Sequence, residues 1–365
     1  MIRIKLVLVF CMALVAITSV AQDTTYTLKD FYTANPTLDL KVQLIYEKLS
    51  DEQRVGQMIV PAAGKLGKNT DYVLELVKKN KVGGILLLNG TVTEFQSLIK
   101  KFDSVNVLSG GLPLLYSADA ELSLINMKIK NTQTVKYANK ITSVKEVNTE
   151  TEKIADELHK IGINYNYAPV VDLSPNQTVS FRSFGLSKDT IMKYSKAFIE
   201  KLQEENIVAT AKHFPGHGYV TGDTHKQLVF IDGEMKEISV YKPLIEGGVI
   251  SVMVGHIAVK NNEKYNTDGL PATVSRKIVT DLLKTEMGFK GIVITDAMGM
   301  GGVKAVPNNC LKASMAGCDI ILMPADEYVA NKEILEEYLK NEEYKKQAEE
   351  SVKKIIRLKI CLGLM

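Results

Sequence analysis

The chain is predicted to fold as a single-domain (β/α)8 TIM barrel of the α/β class, and three observations carry that expectation. From Ser50 onward, short apolar runs rich in β-branched residues alternate with longer amphipathic stretches. The alternation repeats eight times. Polar residues of catalytic type gather directly after the apolar runs, as at Asp119, Asp172, Lys212, His213, His256 and Asp296. Such alternation implies parallel strands joined by crossover helices, and eight units point to a closed barrel more than to an open doubly wound sheet.

The strand candidates are Met58–Val60, Gly84–Leu88, Leu114–Ser117, Asn164–Ala168, Val208–Lys212, Val252–His256, Ile292–Thr295 and Ile320–Met323. The helical candidates that follow them are Asp71–Lys79, Thr93–Leu108, Val147–Ile161, Lys188–Glu204, Met235–Glu246, Ser275–Met287, Pro307–Ala316 and Asn331–Leu339. In a closed barrel the strand C-termini converge on one mouth, where such folds place their chemistry.

Ahead of the barrel, Arg3 and Lys5 precede an apolar run from Leu6 to Ile17 that ends in Ser19, Val20 and Ala21. This is the pattern of a secretory signal peptide, residues 1–21, with cleavage expected after Ala21. The run is short for a bilayer and continues into polar Gln22, Asp23 and Thr24, so no membrane span is expected. Cys11 lies inside the run, which argues against a lipid anchor on it. A free periplasmic or secreted protein follows. Residues 22–49 read as an N-terminal extension, with a helix expected from Leu38, that packs across the bottom or side of a barrel formed by residues 50–365.

Composition excludes several classes. The net charge is +3 with both signs scattered along the chain, so there is no electrostatic footprint for nucleic acid. The segment Lys340–Lys359 alternates lysine with Glu342, Glu343, Glu349 and Glu350, which reads as a solvated helix face. Once Cys11 leaves with the leader, Cys310, Cys318 and Cys361 are too few for a disulfide framework and read as small buried hydrophobes. No CxxC or Cys/His spacing suggests a structural metal, and no cofactor is expected.

The densest chemical signal is Lys212-His213-Phe214-Pro215-Gly216-His217-Gly218, continuing to Thr221-Gly222-Asp223-Thr224-His225. Three glycines and a proline mark irregular backbone just after a strand, where catalytic loops tend to sit. Of the five histidines, His213, His217, His225 and His256 fall in this loop or at the next strand end, whereas His159 lies on a helix and reads as structural. Asp223 and His225 are two apart, so the carboxylate can hold one ring nitrogen while the other exchanges a proton. Metal binding is the rival use of these histidines, disfavoured because no His-x-x-x-His or Glu-bearing helix accompanies them. Asp296 ends the run Gly291 to Thr295 and would face the mouth as nucleophile, base or ligand, with a helix N-cap as the plain alternative.

Taken in order, Ala168-Pro-Val-Val-Asp172, Arg182-Ser-Phe-Gly185, Lys212 to Gly218, Asp223-Thr-His225, Pro271-Ala-Thr-Val-Ser275, Gly288-Phe289 and Thr295-Asp-Ala-Met298 resemble glycoside hydrolase family 3, in its β-N-acetylhexosaminidase branch. The resemblance runs from Ser50 to Leu339. It implies a retaining hydrolase acting on a carbohydrate, with Asp296 as nucleophile and His225 as acid/base backed by Asp223. It also implies that Asp119, Arg182, Lys212 and His213 bind sugar hydroxyls, while His217 and His256 shape the mouth. The expected activity is removal of terminal N-acetylglucosamine from peptidoglycan fragments or other glycans. The alternatives are a family 3 barrel of different sugar specificity such as a β-glucosidase, a weakly active carbohydrate-binding descendant, and a lyase forming a Schiff base on Lys212.

One stretch departs from the family pattern of Asp-x-Glu-Gly-Gly-x-Val followed by an arginine that reaches the substrate. Here the run is Asp119-Ala-Glu121-Leu122-Ser123-Leu124-Ile125, and Met127 stands where the arginine is expected. This predicts a first sugar subsite poorer in charge-assisted hydrogen bonds.

Overall fold

The computed structural model describes residues 25–173, 175–176 and 179–365; the expected leader, residues 1–21, lies outside the described residues. Eight parallel strands form the barrel. Strand β1 consists of Ile59–Val60 and, past Pro61, Ala62–Ala63. The others are β2 (Gly84–Leu87), β3 (Leu115–Ala118), β4 (Tyr165–Asn166), β5 (Val208–Phe214), β6 (Ser251–Val254), β7 (Ile292–Thr295) and β8 (Ile321–Leu322). Sequential neighbours pair in parallel from β1 to β7. The ring closes because the Thr295 amide donates to the Ile320 carbonyl (3.1 Å), and Ile321 and Leu322 pair with Ile59 and Val60. Every residue of β2, β3, β5, β6 and β7 is buried, as expected for strands covered by helices on one side and by the barrel core on the other.

The outer ring comprises α1 (Thr70–Lys78), α2 (Val92–Leu108), α3 (Val144–Ile161), α4 (Lys188–Glu204), α5 (Ile238–Glu246), the π-helical α6 (Lys277–Glu286), α7 (Asn309–Ala316) and α8 (Glu327–Lys340). Helix α3 shows why these segments are helical. Val147, Thr151, Ile154, Leu158 and Ile161 recur on one face and are buried. The Ser143 side chain caps the Glu146 amide, and left-handed Gly162 ends the helix. Cap chemistry also moves boundaries from their expected places. Helix α8 begins at Glu327 and not at Asn331, because the Asp326 side chain accepts from the Tyr328 and Val329 amides.

Two regions differ from expectation. The segment predicted as a solvated helix face is a helix, α9 (Glu342–Cys361), with Tyr344, Ala348, Val352, Ile355, Ile356 and even Lys359 buried. Its lysine–glutamate alternation describes only the outer face. In the extension the helix starts at Pro36, with Asn35 as its N-cap, and runs to Glu47. The extension does pack across the barrel bottom: the Leu28 amide donates to Asn206 Oδ1 (3.2 Å) and Tyr32 Oη to the Val249 carbonyl (2.6 Å), both just ahead of strands. Within the barrel, Tyr165 Oη donates across β5 to Ser251 Oγ (2.6 Å), a buried polar contact low in the core.

Candidate active site

A cavity of about 590 Å³ opens at the C-terminal mouth, and Asp119, Arg182, Lys212, His213, Asp223, His225 and Asp296 all line it. Leu86, Met253 and Leu322, from the even-numbered strands β2, β6 and β8, contribute its apolar surface.

One wall is a chain of alternating charges. Lys212 of β5 is buried, and its Nζ lies 2.9 Å from Asp119 Oδ1 and 2.6 Å from Glu121 Oε1. Arg182 donates from Nε to Glu121 Oε2 (2.8 Å) and from Nη2 to Oε1 (2.7 Å), a two-point pairing that fixes the guanidinium plane. Burial alone would push both carboxyls up. The adjacent cations more than offset it, holding Glu121 at about 2 and Asp119 well below the usual carboxylate range. Burial would likewise deprotonate Lys212, but Asp119 and Glu121 raise its affinity for the proton instead. A lysine kept charged in this way is a poor Schiff-base nucleophile, which removes the support for the lyase reading.

The expected loss of a cation after β3 does not occur. Met127 is exposed and does not line the cavity. Its neighbour Lys128 does, donating to Asp119 Oδ2 at 2.6 Å. The short helix Ile125–Lys128 turns position 128 toward the mouth and position 127 away. Leu122 and Ser123, in place of the glycine pair, are buried; Ser123 Oγ donates to the Phe181 carbonyl (2.6 Å) and accepts from the Ala138 amide (3.0 Å).

The loop after β5 carries the second group. Buried Asp172 organises its start: Oδ2 lies 2.7 Å from His213 Nδ1, and Oδ1 accepts from the amides of His213 (3.2 Å) and His217 (2.8 Å). His217 lines the cavity edge and its Nε2 is 3.1 Å from Thr224 Oγ1. Thr224 separates the expected dyad, in which His225 Nδ1 sits 2.7 Å from Asp223 Oδ1. Asp223 Oδ1 also accepts the His225 amide at 2.9 Å, so the two-residue spacing closes a tight local ring. Burial raises Asp223, but the amide and ring of His225 outweigh it, and the carboxyl falls below its ordinary value. The loop is docked on the far side by the amides of Gly301 and Gly302, which donate to the carbonyls of His225 (3.0 Å) and Thr224 (2.9 Å).

Asp296 stands at the end of β7, half-buried, with Oδ1 accepting the Ala297 amide at 2.8 Å. Burial raises its proton affinity, yet His256, His213, that amide and Lys212 together lower it, so Asp296 is ionised at neutral pH. His256 is buried beneath, its ring nitrogens 2.8 Å from Thr273 Oγ1 and 2.9 Å from the Ala297 carbonyl oxygen, a supporting position away from the cavity. His159 bonds the Glu205 carbonyl through Nε2 (2.8 Å) and tethers two helices, as its helical position suggested. Among the described residues no group of three or more His, Cys, Asp or Glu side chains is placed to hold a metal ion. Cys310, Cys318 and Cys361 are buried free thiols.

Sequence reasoning missed Lys128 and Glu237. Lys128 sits one residue beyond the position tested for a cation. Glu237 stands directly ahead of α5 at its N-cap position, carries no motif, and is buried against the loop after β5.

The closed barrel gathers a carboxylate, a carboxylate-backed imidazole and a charged wall around one mouth cavity, the arrangement of a (β/α)8 barrel with its polar groups at the strand C-termini. The chain belongs to glycosyl hydrolase family 3: residues 50–358 match the model of the glycosyl hydrolase family 3 N-terminal domain. Beta-hexosaminidase A of Pseudoalteromonas piscicida is 28% identical over 280 residues, covering 68% of this chain and 47% of that protein. A solved family 3 beta-N-acetylglucosaminidase from Paenibacillus superposes with a TM-score of 0.77 at 25% identity, over 87% of this chain and 63% of its own. The beta-N-acetylhexosaminidase of Beutenbergia cavernae shares the fold, with a TM-score of 0.75 at 24% identity over 84% of this chain and 98% of its own. The chain spans about half the length of the first curated relatives it matches.

Proposed function

We propose that this barrel is a retaining exo-β-N-acetylhexosaminidase that removes terminal N-acetylglucosamine from peptidoglycan fragments or other glycans outside the cytoplasm. The observation that carries the reading is that Asp296 and the Asp223–His225 pair line the same cavity. In the first step an Asp296 oxygen attacks the anomeric carbon while His225 gives its proton to the departing glycosidic oxygen, leaving a glycosyl ester on Asp296. In the second, His225 takes a proton from water, the water oxygen attacks the same carbon, and the ester bond breaks to return the Asp296 carboxylate. Asp223 orients the imidazole and stabilises its charged form. Asp119, Arg182, Lys212 and His213 bind the sugar hydroxyls, and Lys128 adds a donor to that wall. The names of the relatives support N-acetylglucosamine as the sugar, and the signal-peptide pattern supports export.

The test is a panel of aryl β-glycosides differing only at the 2-substituent, followed by trapping with a fluorinated N-acetylglucosaminyl fluoride. The N-acetylglucosaminide is expected to turn over fastest, with retained configuration, and mass spectrometry to find the sugar on Asp296. Faster cleavage of the glucoside would move the assignment to a β-glucosidase, and absence of both turnover and labelling to a carbohydrate-binding descendant. Near wild-type rates for Asp223→Asn on an unactivated disaccharide would sink the dyad. Fractionation with N-terminal sequencing checks export, the expected mature end being Gln22.

A further inference from the structure

Glu237 takes no part in the chemistry above, yet it is buried beside the loop that carries the acid/base pair. Among the described residues it makes no ion pair; backbone amides hold its carboxyl group, which burial and the nearby Asp172 push up to about 8. Oε1 accepts from the Leu173 amide at 2.6 Å and the Gly218 amide at 3.2 Å, and Oε2 accepts from Gly218 at 3.0 Å. Leu173 follows β4 and Gly218 follows β5, so one side chain fastens two adjacent mouth loops.

The glycines of the loop make room for it. A Cβ on Gly216, whose φ of 132° already suits only glycine, would lie 2.4 Å from Glu237 Oε2. A Cβ on Gly218 would lie 1.5 Å from the Leu173 carbonyl oxygen and 2.6 Å from Glu237 Oε1. The path from this clamp to the chemistry is short. Gly218 adjoins His217, and the His217 ring reaches Thr224, which stands between Asp223 and His225. The Gly218 carbonyl also accepts the Asn176 amide (3.0 Å), and the Asn176 side chain donates to the Val220 (2.7 Å) and Gly222 (3.2 Å) carbonyls. The His225 side chain itself is 62% exposed, so its position depends on how firmly the rest of the loop is held.

We infer that Glu237 is a positioning residue for the acid/base pair: by gripping the Leu173 and Gly218 amides it fixes where His225 stands relative to Asp296. The inference rests on the catalytic reading above for its kinetic consequence but not for its structural one. Glutamine is nearly the same shape, yet it has one acceptor oxygen: with that oxygen toward Leu173 its NH2 group faces the Gly218 amide where Oε2 stood, and with the amide turned over the Leu173 N–H loses its partner.

The experiment compares wild type, Glu237→Gln and His225→Ala as full-length mature chains, by amide hydrogen exchange and by kinetics on two substrates. In the wild type, the Leu173 and Gly218 amides are expected to be protected like those of β5. In Glu237→Gln, exchange should quicken across 213–227 while the other barrel peptides keep wild-type protection. The kcat/KM for an unactivated disaccharide should fall about ten- to a hundredfold, since bond cleavage there needs the proton, whereas a dinitrophenyl glycoside keeps most of its kcat/KM, which reports the first step alone. His225→Ala should show the same leaving-group pattern. Free exchange of Leu173 and Gly218 in the wild type overturns the inference. So does a uniform rise in exchange with equal losses on both substrates, which is what general destabilisation gives. If the wild type cleaves neither substrate, the catalytic reading fails and the exchange data alone decide whether Glu237 holds the loop.

Discussion

At the mouth, Lys212 is buried between Asp119 and Glu121; at the opposite end, Asp319 is buried between Lys284 (3.2 Å) and Lys354 (2.6 Å), ahead of β8. The chemistry of the two clusters is alike, but their surroundings differ. The mouth cluster opens on the cavity through Asp119, Arg182 and Lys128. The bottom cluster is closed by α9, whose Ser351 Oγ donates to Asp319 Oδ1 (2.6 Å), and by the Val293 amide, which donates to Oδ2 (2.8 Å). Lys359 lies in the same helix, fully buried, and donates to Gln57 Oε1 at 2.6 Å. Charge at a strand's C-terminal end is thus available to a ligand, and charge at its N-terminal end serves only folding.

The largest expected effect separates the two ends cleanly. Asp296→Ala should lower kcat by roughly 10⁴-fold or more while the Tm stays near that of the wild type. A collapse of the Tm would mean that the mouth carboxylate is also structural, and the contrast would fail there. Asp319→Ala should do the reverse, costing about 3 kcal/mol in urea unfolding because two half-buried ammonium groups, the Val293 amide and the Ser351 hydroxyl lose their partner, with kcat/KM of the folded protein unchanged. Burial raises the Asp319 carboxyl but Lys284 and Lys354 lower it more, from 3.8 to about 2. Its folded value therefore lies below its unfolded one. The stabilisation is present above pH 3.8 and is lost as the pH falls through about 2, and this acid limb should shrink in the variant.

Lys128→Met sharpens the contrast at the mouth. It should reduce kcat/KM about tenfold, within the range for one charge-assisted hydrogen bond, and barely move the Tm. No kinetic change would show that Lys128 serves only to neutralise Asp119. The smallest effect belongs to Lys359→Met, which should stabilise the protein at pH 7 by about 1–2 kcal/mol. Burial lowers the Lys359 amine from 10.5 to about 7, so between those values the folded chain holds it neutral and the unfolded chain protonates it. Wild-type stability should therefore rise with pH across that window, and urea titrations of the variant should lose this slope.

Much of the barrel was legible because strand and helix periods are local properties. Gly84–Leu87 and Ile292–Thr295 stand within a residue of their expected limits. Boundaries shifted where a side chain outside the periodic pattern decided them, as Asp326 does for α8 and Ser143 for α3. Of the site, the strand-end residues Lys212, His213 and Asp296 and the two-apart Asp223–His225 pair could be read directly, since spacing alone brings them to the mouth. Lys128 was misjudged because a four-residue helix chooses which of two neighbours faces the cavity, and such a helix has too few turns to show a period.

By itself the sequence determined the order of the βα units, the face on which they present their polar ends, and the chemical types that meet there. Side-chain period, caps and turn residues act over a few positions, and each of those features follows from them. Only the tertiary structure decided that Lys212 reaches Asp119 across 93 positions, that Glu237 rather than a loop residue holds Gly218, and that Lys359 lies in the core. Those outcomes depend on ring closure and on the packing of α5 and α9 against the barrel, which place groups distant in the chain within hydrogen-bonding distance and are encoded by no local pattern.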